Sequence, residues 1–557
     1  MQGDHSDNPE MERNMNGRMQ LAAALSAALL VSRATAGTAP IREKEPNDRR
    51  TAAQAVTVPC TVTCTVDAGP RGGTDMFTFK IEEPCYLRID VKGVPGVDFQ
   101  LTLYGSERAP VALVNGQGEG YGEHYVRRVR CDTYILDVRA IARKGAPEKP
   151  DYTLTLDQPN VTNYEPPTEE IKAAIQRGLA CLAKTQGEDG AWRHQNIAHG
   201  ITGLALMGFV AEDLPEFTAT IEKAATFFKK SAIPAGSYPR SAHQEAILGG
   251  SLVGKRNGHF TYEQAIAVLA MSEHLHHHED AATRKMVADG VQLLLRCHNT
   301  ASKPKILGGP IPAKHEQFGG WKYNPQQIRG DLSVSGWCLI ALAAAETAGF
   351  KTSPSLRKDY LVFCRNCYSA KQKRYAYEPG GKGLTTNTLN AVGVLTTLLC
   401  NEPADPLVAE GIKRIRKNLP NWQAEGERGR YPFYYWYYAS RSMYVAGGDY
   451  WKEWQGVVCP MLLKFQNEDG SWDVALSEKK VGKDYGTAVA ILILQLCSGK
   501  APAYLKGMPV AKPQEAYSCP ACLGDIEDLL RKAKRDRSTK EQLIETIQGL
   551  IDQYRGE

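Results

Sequence analysis

Two hydrophobic rhythms divide the chain. Over residues 37–160, apolar and polar residues alternate in short runs at 57–66, 76–81, 86–91, 99–104, 134–138 and 152–156, punctuated by Gly, Pro and Asp. Alternation places every second side chain on one face of a strand, and many short strands at this spacing predict an all-β sandwich. Residues 161–167, with Glu165-Pro166-Pro167, read as a linker. From Thr168 the period lengthens to that of a helix. Six stripes each predict an amphipathic helix with one buried side: Ile171/Ile175/Leu179/Leu182, Ile221/Ala224/Ala225/Phe228, Val287/Val291/Leu294, Leu356/Tyr360/Phe363/Cys364, Val408/Ile412/Ile415/Leu419 and Trp451/Trp454/Val458/Phe465 with Met461 or Leu462. Between them lie six segments of the opposite kind, at 199–209, 262–273, 331–348, 386–399, 434–445 and 485–496, apolar or small nearly all round, with their few polar residues at the start. Such helices are packed on every side. Six amphipathic helices alternating with six buried ones, in repeats of about 50 residues, predict an (α/α)6 toroid over 168–498 in which parallel inner helices surround an axis and outer ones return. Residues 499–557 form a linker and a helical tail, whose last helix opens on the capping box Ser538-Thr539-Lys540-Glu541.

The turns carry two resemblances. Gln186-Gly187-Glu188-Asp189-Gly190-Ala191-Trp192 and Gln466-Asn467-Glu468-Asp469-Gly470-Ser471-Trp472 fit a QxxxGxW pattern, and Phe318-Gly319-Gly320-Trp321 is a reduced copy lacking the glutamine at its register. The glycine permits a tight turn after an outer helix, the tryptophan packs under it, and the glutamine reaches free helix-end groups. With Asp331-Leu332-Ser333-Val334-Ser335-Gly336-Trp337 and Tyr434-Tyr435-Trp436-Tyr437-Tyr438-Ala439, region 168–498 resembles the prenyltransferase and squalene cyclase toroid superfamily, in its exported branch. In the first region, Glu43-Lys44-Glu45-Pro46-Asn47-Asp48, Asp75-Met76-Phe77-Thr78-Phe79, the run 98–104 and the closing Tyr152-Thr153-Leu154-Thr155-Leu156 resemble a bacterial pre-peptidase C-terminal domain. That resemblance implies an accessory module without catalysis. Some members hold calcium near the opening acidic motif, here Glu45, Asn47, Asp48 and Asp75; an Asn/Asp-rich turn kept for backbone reasons is the preferred reading.

Export changes what the composition means. Residues 19–31 are mostly apolar, follow Arg13 and Arg18, and precede Ala34-Thr35-Ala36, a small-x-small cleavage site, so 1–36 read as a signal peptide. No later segment is apolar for the roughly 20 residues a span requires, and the mature chain is expected in the periplasm or outside the cell. A net charge of +5 over 557 residues argues against nucleic acid as a partner. The 14 cysteines then become candidates for disulfides. Cys519 with Cys522 leads, Cys85 with Cys131 is a second pairing, and Cys181, Cys338, Cys400 and Cys497 read as small core residues. Zinc held by Cys364, Cys367, Cys519 and Cys522 ranks below the disulfides, and no cofactor is expected.

In a toroid of parallel inner helices the N-termini gather at one mouth, offering free N–H groups and partial positive charge that suit an anionic or hydrogen-bond-accepting head group. The expected rim is His199, Tyr262, Glu263, Asp331, Ser333, Ser335, Asn387, Asn390, Tyr435, Tyr438, Arg441, Asp484, Tyr485 and Thr487, with Trp337 among the aromatic residues of an apolar pocket below. A terpene cyclase needs a strong acid and aromatic shielding of a carbocation. Asp331 is the best single acid, yet the acidic motifs of the cyclases are absent, and the plain role of Asp331 is to cap the helix it opens. The Asp-x-Cys spacing of zinc-dependent prenyl transfer and the thioester element of the complement branch are missing as well. His274, His276, His277 and His278 read as an exposed helix end. Binding of an apolar or isoprenoid-like molecule, or of an envelope protein, is therefore set ahead of catalysis, with the loops 232–259 and 299–330 shaping the binding face.

Overall fold

The computed structural model describes residues 40–67, 72–106, 110–114, 122–142, 146–147, 149–254, 258–422 and 431–508. The predicted signal peptide, the tail helices and the Cys519/Cys522 pair lie outside them.

Ten strands form the N-terminal region: β1 (Ile41–Arg42), β2 (Gln54–Ala55), β3 (Cys60–Thr65), β4 (Gly73–Ile81), β5 (Cys85–Val91), β6 (Val97–Tyr104), β7 (Pro110–Val114), β8 (Glu123–Val129), β9 (Asp132–Ala142) and β10 (Asp151–Asp157). They make two five-stranded sheets, ordered β1-β3-β10-β5-β8 and β2-β4-β9-β6-β7. β1 and β2 pair parallel with their neighbours, and all other pairs are antiparallel. Strict alternation buries Phe77, Phe79, Leu87, Ile89, Phe99, Leu101, Leu136, Val138, Leu154 and Leu156 in one core. The two-residue β1 and β2, and β7 and β8, were not foreseen. β8 reads Glu-His-Tyr-Val-Arg-Arg-Val, without alternation, because it is a sheet edge whose buried face meets the helical region.

Thirteen helices follow. The outer set is α1 (Thr168–Thr185), α3 (Thr218–Ser231), α6 (Ala281–Cys297), α8 (Leu356–Asn366), α10 (Pro406–Lys417) and α12 (Gly448–Lys464). The inner set is α2 (His199–Glu212), α5 (Phe260–Leu275), α7 (Leu332–Thr347), α9 (Asn387–Leu399), α11 (Pro432–Ala446) and α13 (Gly482–Cys497). A short α4 (Ala242–Leu248) and a small sheet, β11 (Tyr368–Ser369), β12 (Arg374–Glu378) and β13 (Lys382–Thr385), decorate the loops. Contacts run α2 to α5, α7, α9, α11, α13 and back to α2, a closed cyclic order. In α7 every residue from Leu332 to Ala345 is buried.

The three glycine–tryptophan turns join outer to inner helices by one device. Trp192, Trp321 and Trp472 are wholly buried, and their indoles donate to the carbonyls of Leu182 (2.7 Å), Leu294 (2.8 Å) and Leu462 (2.8 Å) on the preceding outer helix. Their backbone amides donate to the hydroxyls of Thr202 (3.0 Å), Ser335 (2.8 Å) and Thr487 (3.2 Å) near the start of the next inner helix. A Cβ at Gly190, Gly319 or Gly470 would lie 2.2, 1.9 or 2.3 Å from the carbonyl oxygen of Lys223, Asp359 or Arg177, each on an adjacent outer helix. Gln186 and Gln466 tie the turn to that same helix, donating to Thr220 O (2.9 Å) and Ala174 O (2.8 Å). Arg177 and Ala174 belong to α1, so the last turn is seated on the first outer helix.

The sandwich is docked on α12. Tyr86 donates to Glu453, which also pairs with Arg416, and Lys464 and His124 both reach Asp90. Burial pushes the Asp90 carboxyl up, but those two partners more than offset it and hold it at about 2. Gly456 lets α12 approach the linker, where a Cβ would sit 2.4 Å from Val161 O. The expected Cys85–Cys131 disulfide is not formed: the twelve described cysteines are free thiols, and Cys131 donates to Glu82 O. Cys364 and Cys367 are buried at the end of α8 among Thr396, Thr397 and Tyr375, a core setting.

Candidate functional site

The N-terminal mouth of the helical ring is closed by carboxylates. Asp331 is wholly buried; its Oδ1 accepts from Val334 N (2.9 Å) and its Oδ2 lies 3.1 Å from Lys322 Nζ. Burial raises the Asp331 carboxyl, while the Lys322 ammonium and the Val334 amide pull it back. Lys322 is shared with Glu378 (3.7 Å), which also binds Arg329. Glu263 accepts from the amides of Ala198 (3.3 Å) and Gly200 (3.1 Å) at the start of α2, with His199 Nδ1 at 3.7 Å and its ring against Phe227. Glu478 accepts from Phe433 N (3.2 Å) and Tyr434 N (3.1 Å) at the start of α11; burial pushes it up to about 8 against those amides. Three inner helix starts are thus capped by built-in acids, and α9 by Thr386 through Leu389 N (3.1 Å). At four of the six inner helix starts, built-in side chains therefore already accept from one or two of the N–H groups that were expected to face an anionic head group.

Below this rim the axis is filled. Tyr262, Trp337, Tyr434, Tyr437 and Tyr438 pack with ring centroids 5.0 to 6.4 Å apart. Trp337 Nε1 donates to Tyr434 Oη (3.0 Å), which also bonds Ser333 Oγ (2.8 Å). Tyr262 on α5 touches Tyr434 on α11, across the ring, where an open apolar cavity was expected. The remaining predicted rim residues scatter. Ser335 and Thr487 serve the tryptophan turns. Asn390 donates to Gly411 O (3.0 Å), Tyr435 to Asn418 O (2.6 Å), and Asp484 accepts from Thr185 (2.9 Å), so these three face outer elements. Asn387 follows the Thr386 cap, and Tyr485 lies near Glu478 and Tyr434. Arg441 stands in the last third of α11 and belongs to the opposite mouth.

That opposite mouth, at the C-terminal ends of the inner helices, holds a cavity of about 500 Å³. Met207, Val210 and Ala211 of α2 and Leu492 of α13 form its apolar wall, and the segment 499–506 crosses beside it. Glu273, Gln495 and Arg441 are its polar groups, with His276, His277, Lys500 and Lys506 toward the outside. Glu273 Oε2 accepts from Ala503 N (3.3 Å), and burial pushes the carboxyl up to about 7. Glu273 Oε1 and Gln495 Oε1 are buried without a hydrogen-bond partner. The Gln495 amide nitrogen is engaged by Gly208 O (2.8 Å) and Glu212 Oε1 (3.2 Å). Arg441 is buried, donating to Tyr504 Oη (3.0 Å) and Tyr437 O (3.2 Å) with its guanidinium carbon 3.5 Å from the Tyr437 ring centroid. Sequence reasoning passed over Glu273 and Gln495. Gln495 has one signal, a lone polar residue in the last turn of an otherwise apolar inner helix, whereas Glu273 stands between Ser272 and His274.

A third cluster lies in the sandwich. Glu43, Glu45 and Asp75 bring carboxylate oxygens within 4.8 Å of one another. Asn47, wholly buried, donates to Glu43 (2.6 Å) and leaves its Oδ1 unpartnered. Burial, together with Glu43 and Glu45, pushes Asp75 up to about 8 although Tyr152 donates to it at 2.7 Å. Asp48, expected in this set, is exposed and pairs with Arg49 instead. Three carboxylates and one free amide oxygen are the hard oxygen donors that calcium takes.

No model of a known protein family matches the chain, and no curated protein does. Among solved structures, the β region is similar to a pre-peptidase C-terminal domain of collagenase from Bacillus anthracis, at 18% identity over 21% of this chain and 100% of that one, with a TM-score of 0.17. The helical region is similar to the type II terpene cyclase MstE from Scytonema (13% identity, 60% of this chain, 100% of that one, TM-score 0.39) and to the GH76A α-1,6-mannanase from Salegentibacter sp. HEL1_6 (9%, 59%, 100%, TM-score 0.40). Likenesses of this size leave the architecture resting on the strand pairings and helix contacts described above. Among the described residues no helix is long and apolar enough to cross a membrane.

Proposed function

We propose that the chain is an exported, non-catalytic binding protein whose helices form an (α/α)6 toroid and hold an apolar small molecule at the C-terminal mouth. The observation that carries this reading is the cavity of about 500 Å³, in which an apolar patch of Met207, Val210 and Leu492 adjoins polar groups including Glu273, Arg441 and Gln495, a volume in the range of small-molecule sites. The filled axis speaks against a cyclase, which needs an empty apolar chamber, and Asp331 is held at its helix start by Val334 N and beside Lys322. Export rests on residues 1–36, and the sandwich docked on α12 is read as an accessory module. The test is native mass spectrometry of the purified full chain incubated with saturating lipid extract. A bound apolar molecule is expected in the wild type and lost in Leu492→Trp, which fills the cavity while far-UV circular dichroism stays unchanged. A wild type that retains nothing overturns the reading.

The acidic cluster favours a second reading for the sandwich, a structural calcium ion held by Glu43, Glu45, Asp75 and Asn47. The orphaned Asn47 oxygen and the raised Asp75 carboxyl both ask for a cation. Calcium is expected to raise the thermal midpoint and to bind more tightly as pH rises toward 8, because Asp75 must lose its proton. Asp75→Asn should remove both effects, and an unshifted wild-type midpoint in excess calcium counts against the site.

A further inference from the structure

We infer that the molecule held at the C-terminal mouth is a neutral amphiphile, with a hydroxyl-bearing head set among Glu273, Gln495 and Arg441 and a hydrocarbon body against Met207, Val210 and Leu492. The inference rests on the binding reading above and adds the chemistry of the head. Above about pH 7, where the Glu273 carboxyl has lost its proton, two acceptors, Glu273 Oε1 and Gln495 Oε1, are buried at this cavity without a donor. Neither can be relieved by rotating its group, because Glu273 Oε2 is held by Ala503 N and the Gln495 nitrogen by Gly208 O and Glu212. Buried polar groups left unpaired in a native fold call for an explanation, and a ligand is one. The ligand must therefore donate hydrogen bonds.

It must also tolerate a fixed positive charge. Arg441 is bonded to Tyr504 Oη and Tyr437 O and stacked on the Tyr437 ring. An anionic head would satisfy Arg441 but would face the bare oxygens of Glu273 and Gln495. A cationic head would suit those oxygens but would lie beside a guanidinium that cannot lose its charge, with Lys500 and Lys506 at the same cavity. A hydroxyl supplies the donor through its O–H and brings no charge of either sign. Met207, Val210, Ala211 and Leu492 give the same cavity an apolar patch, which suits a hydrocarbon body.

Three probes with one tail and different heads test this on the full chain by isothermal titration: 1,2-dodecanediol, dodecanoate and dodecyltrimethylammonium. The diol should bind at least about tenfold more tightly than either ion, a difference of about 1.4 kcal/mol. Glu273→Gln keeps the shape but replaces the carboxylate that carries the orphaned Oε1; it should weaken the diol about tenfold and leave dodecanoate unchanged or improved, with the thermal midpoint as a control of folding. Dodecanoate or the ammonium binding as tightly as the diol, or a diol affinity indifferent to Glu273→Gln, overturns the head-group assignment and leaves the cavity reading standing. No heat from any probe, in a chain that also behaves like Leu492→Trp, overturns both.

Discussion

At the scale of single residues, buried acids are the recurring theme, and most of them serve backbone amides. Asp331 caps its own helix, while Glu263 and Glu478 cap neighbouring ones. The capping role of Asp331 was legible because Asp followed by an apolar helical run is a start signal. The roles of Glu263 and Glu478 were not, since each reaches amides distant in sequence. Glu478 yields a pH prediction. Its carboxyl stands at about 8 in the fold against an ordinary value of 4.5. Between those values the folded state holds a proton that the unfolded state has released, so stability falls as pH rises from about 4.5 through 8. The thermal midpoint should decline from pH 5 to pH 9, and Glu478→Gln, which does not titrate, should flatten part of that decline; identical slopes would show that Glu478 contributes nothing. Asp331→Ala removes a cap and leaves Lys322 without its closest partner, so equilibrium unfolding should show a loss of about 1–2 kcal/mol.

At the scale of elements, the glycine–tryptophan turn is the unit that builds the ring. It fastens an outer helix to the next inner helix through the tryptophan, and to an adjacent outer helix through the glycine and glutamine. Gly470 needs its lack of a side chain twice over: φ is +88°, and a Cβ would sit 2.3 Å from Arg177 O. Gly499 shares the positive φ (+83°) but has nothing within 4 Å. Gly499→Ala should cost only the left-handed conformation, about 1–2 kcal/mol, whereas Gly470→Ala should cost clearly more, because helix α1 must shift as well. Chemical denaturation of the two variants separates these terms, and equal losses would mean that the turn is not clamped to α1.

At the scale of the whole molecule, the sandwich and the helices share a charged and apolar seam on α12. Tyr86, Asp90 and His124 from one side meet Glu453 and Lys464 from the other, over a small apolar contact of Val126, Val161 and Val457. Polar contacts across a small seam couple two cores weakly. Wild-type calorimetry is expected to give one transition, and the double change Tyr86→Phe with Lys464→Ala two; a single unshifted transition would show that the apolar contact alone suffices.

The alternation of residues 57–156 and the switch at Thr168 from period two to helical period determined by themselves that strands come first and that two kinds of helix alternate after them. Local patterning decides this, because an amphipathic stripe and an all-round apolar helix demand different surroundings wherever they sit. Edge strand β8 escaped because its apolar face looks at α12, a partner far away in sequence. The site escaped for the same reason. The ends of a helix show its capping groups in sequence, but whether the axis of a ring is open or filled depends on which side chains cross it. Tyr262 and Tyr434 meet there only because six helices close. Glu273, Arg441 and Gln495 come from three separate inner helices, and nothing local marks them as neighbours. Only the closed ring, which converts distant helix ends into one mouth, decided where a ligand has room.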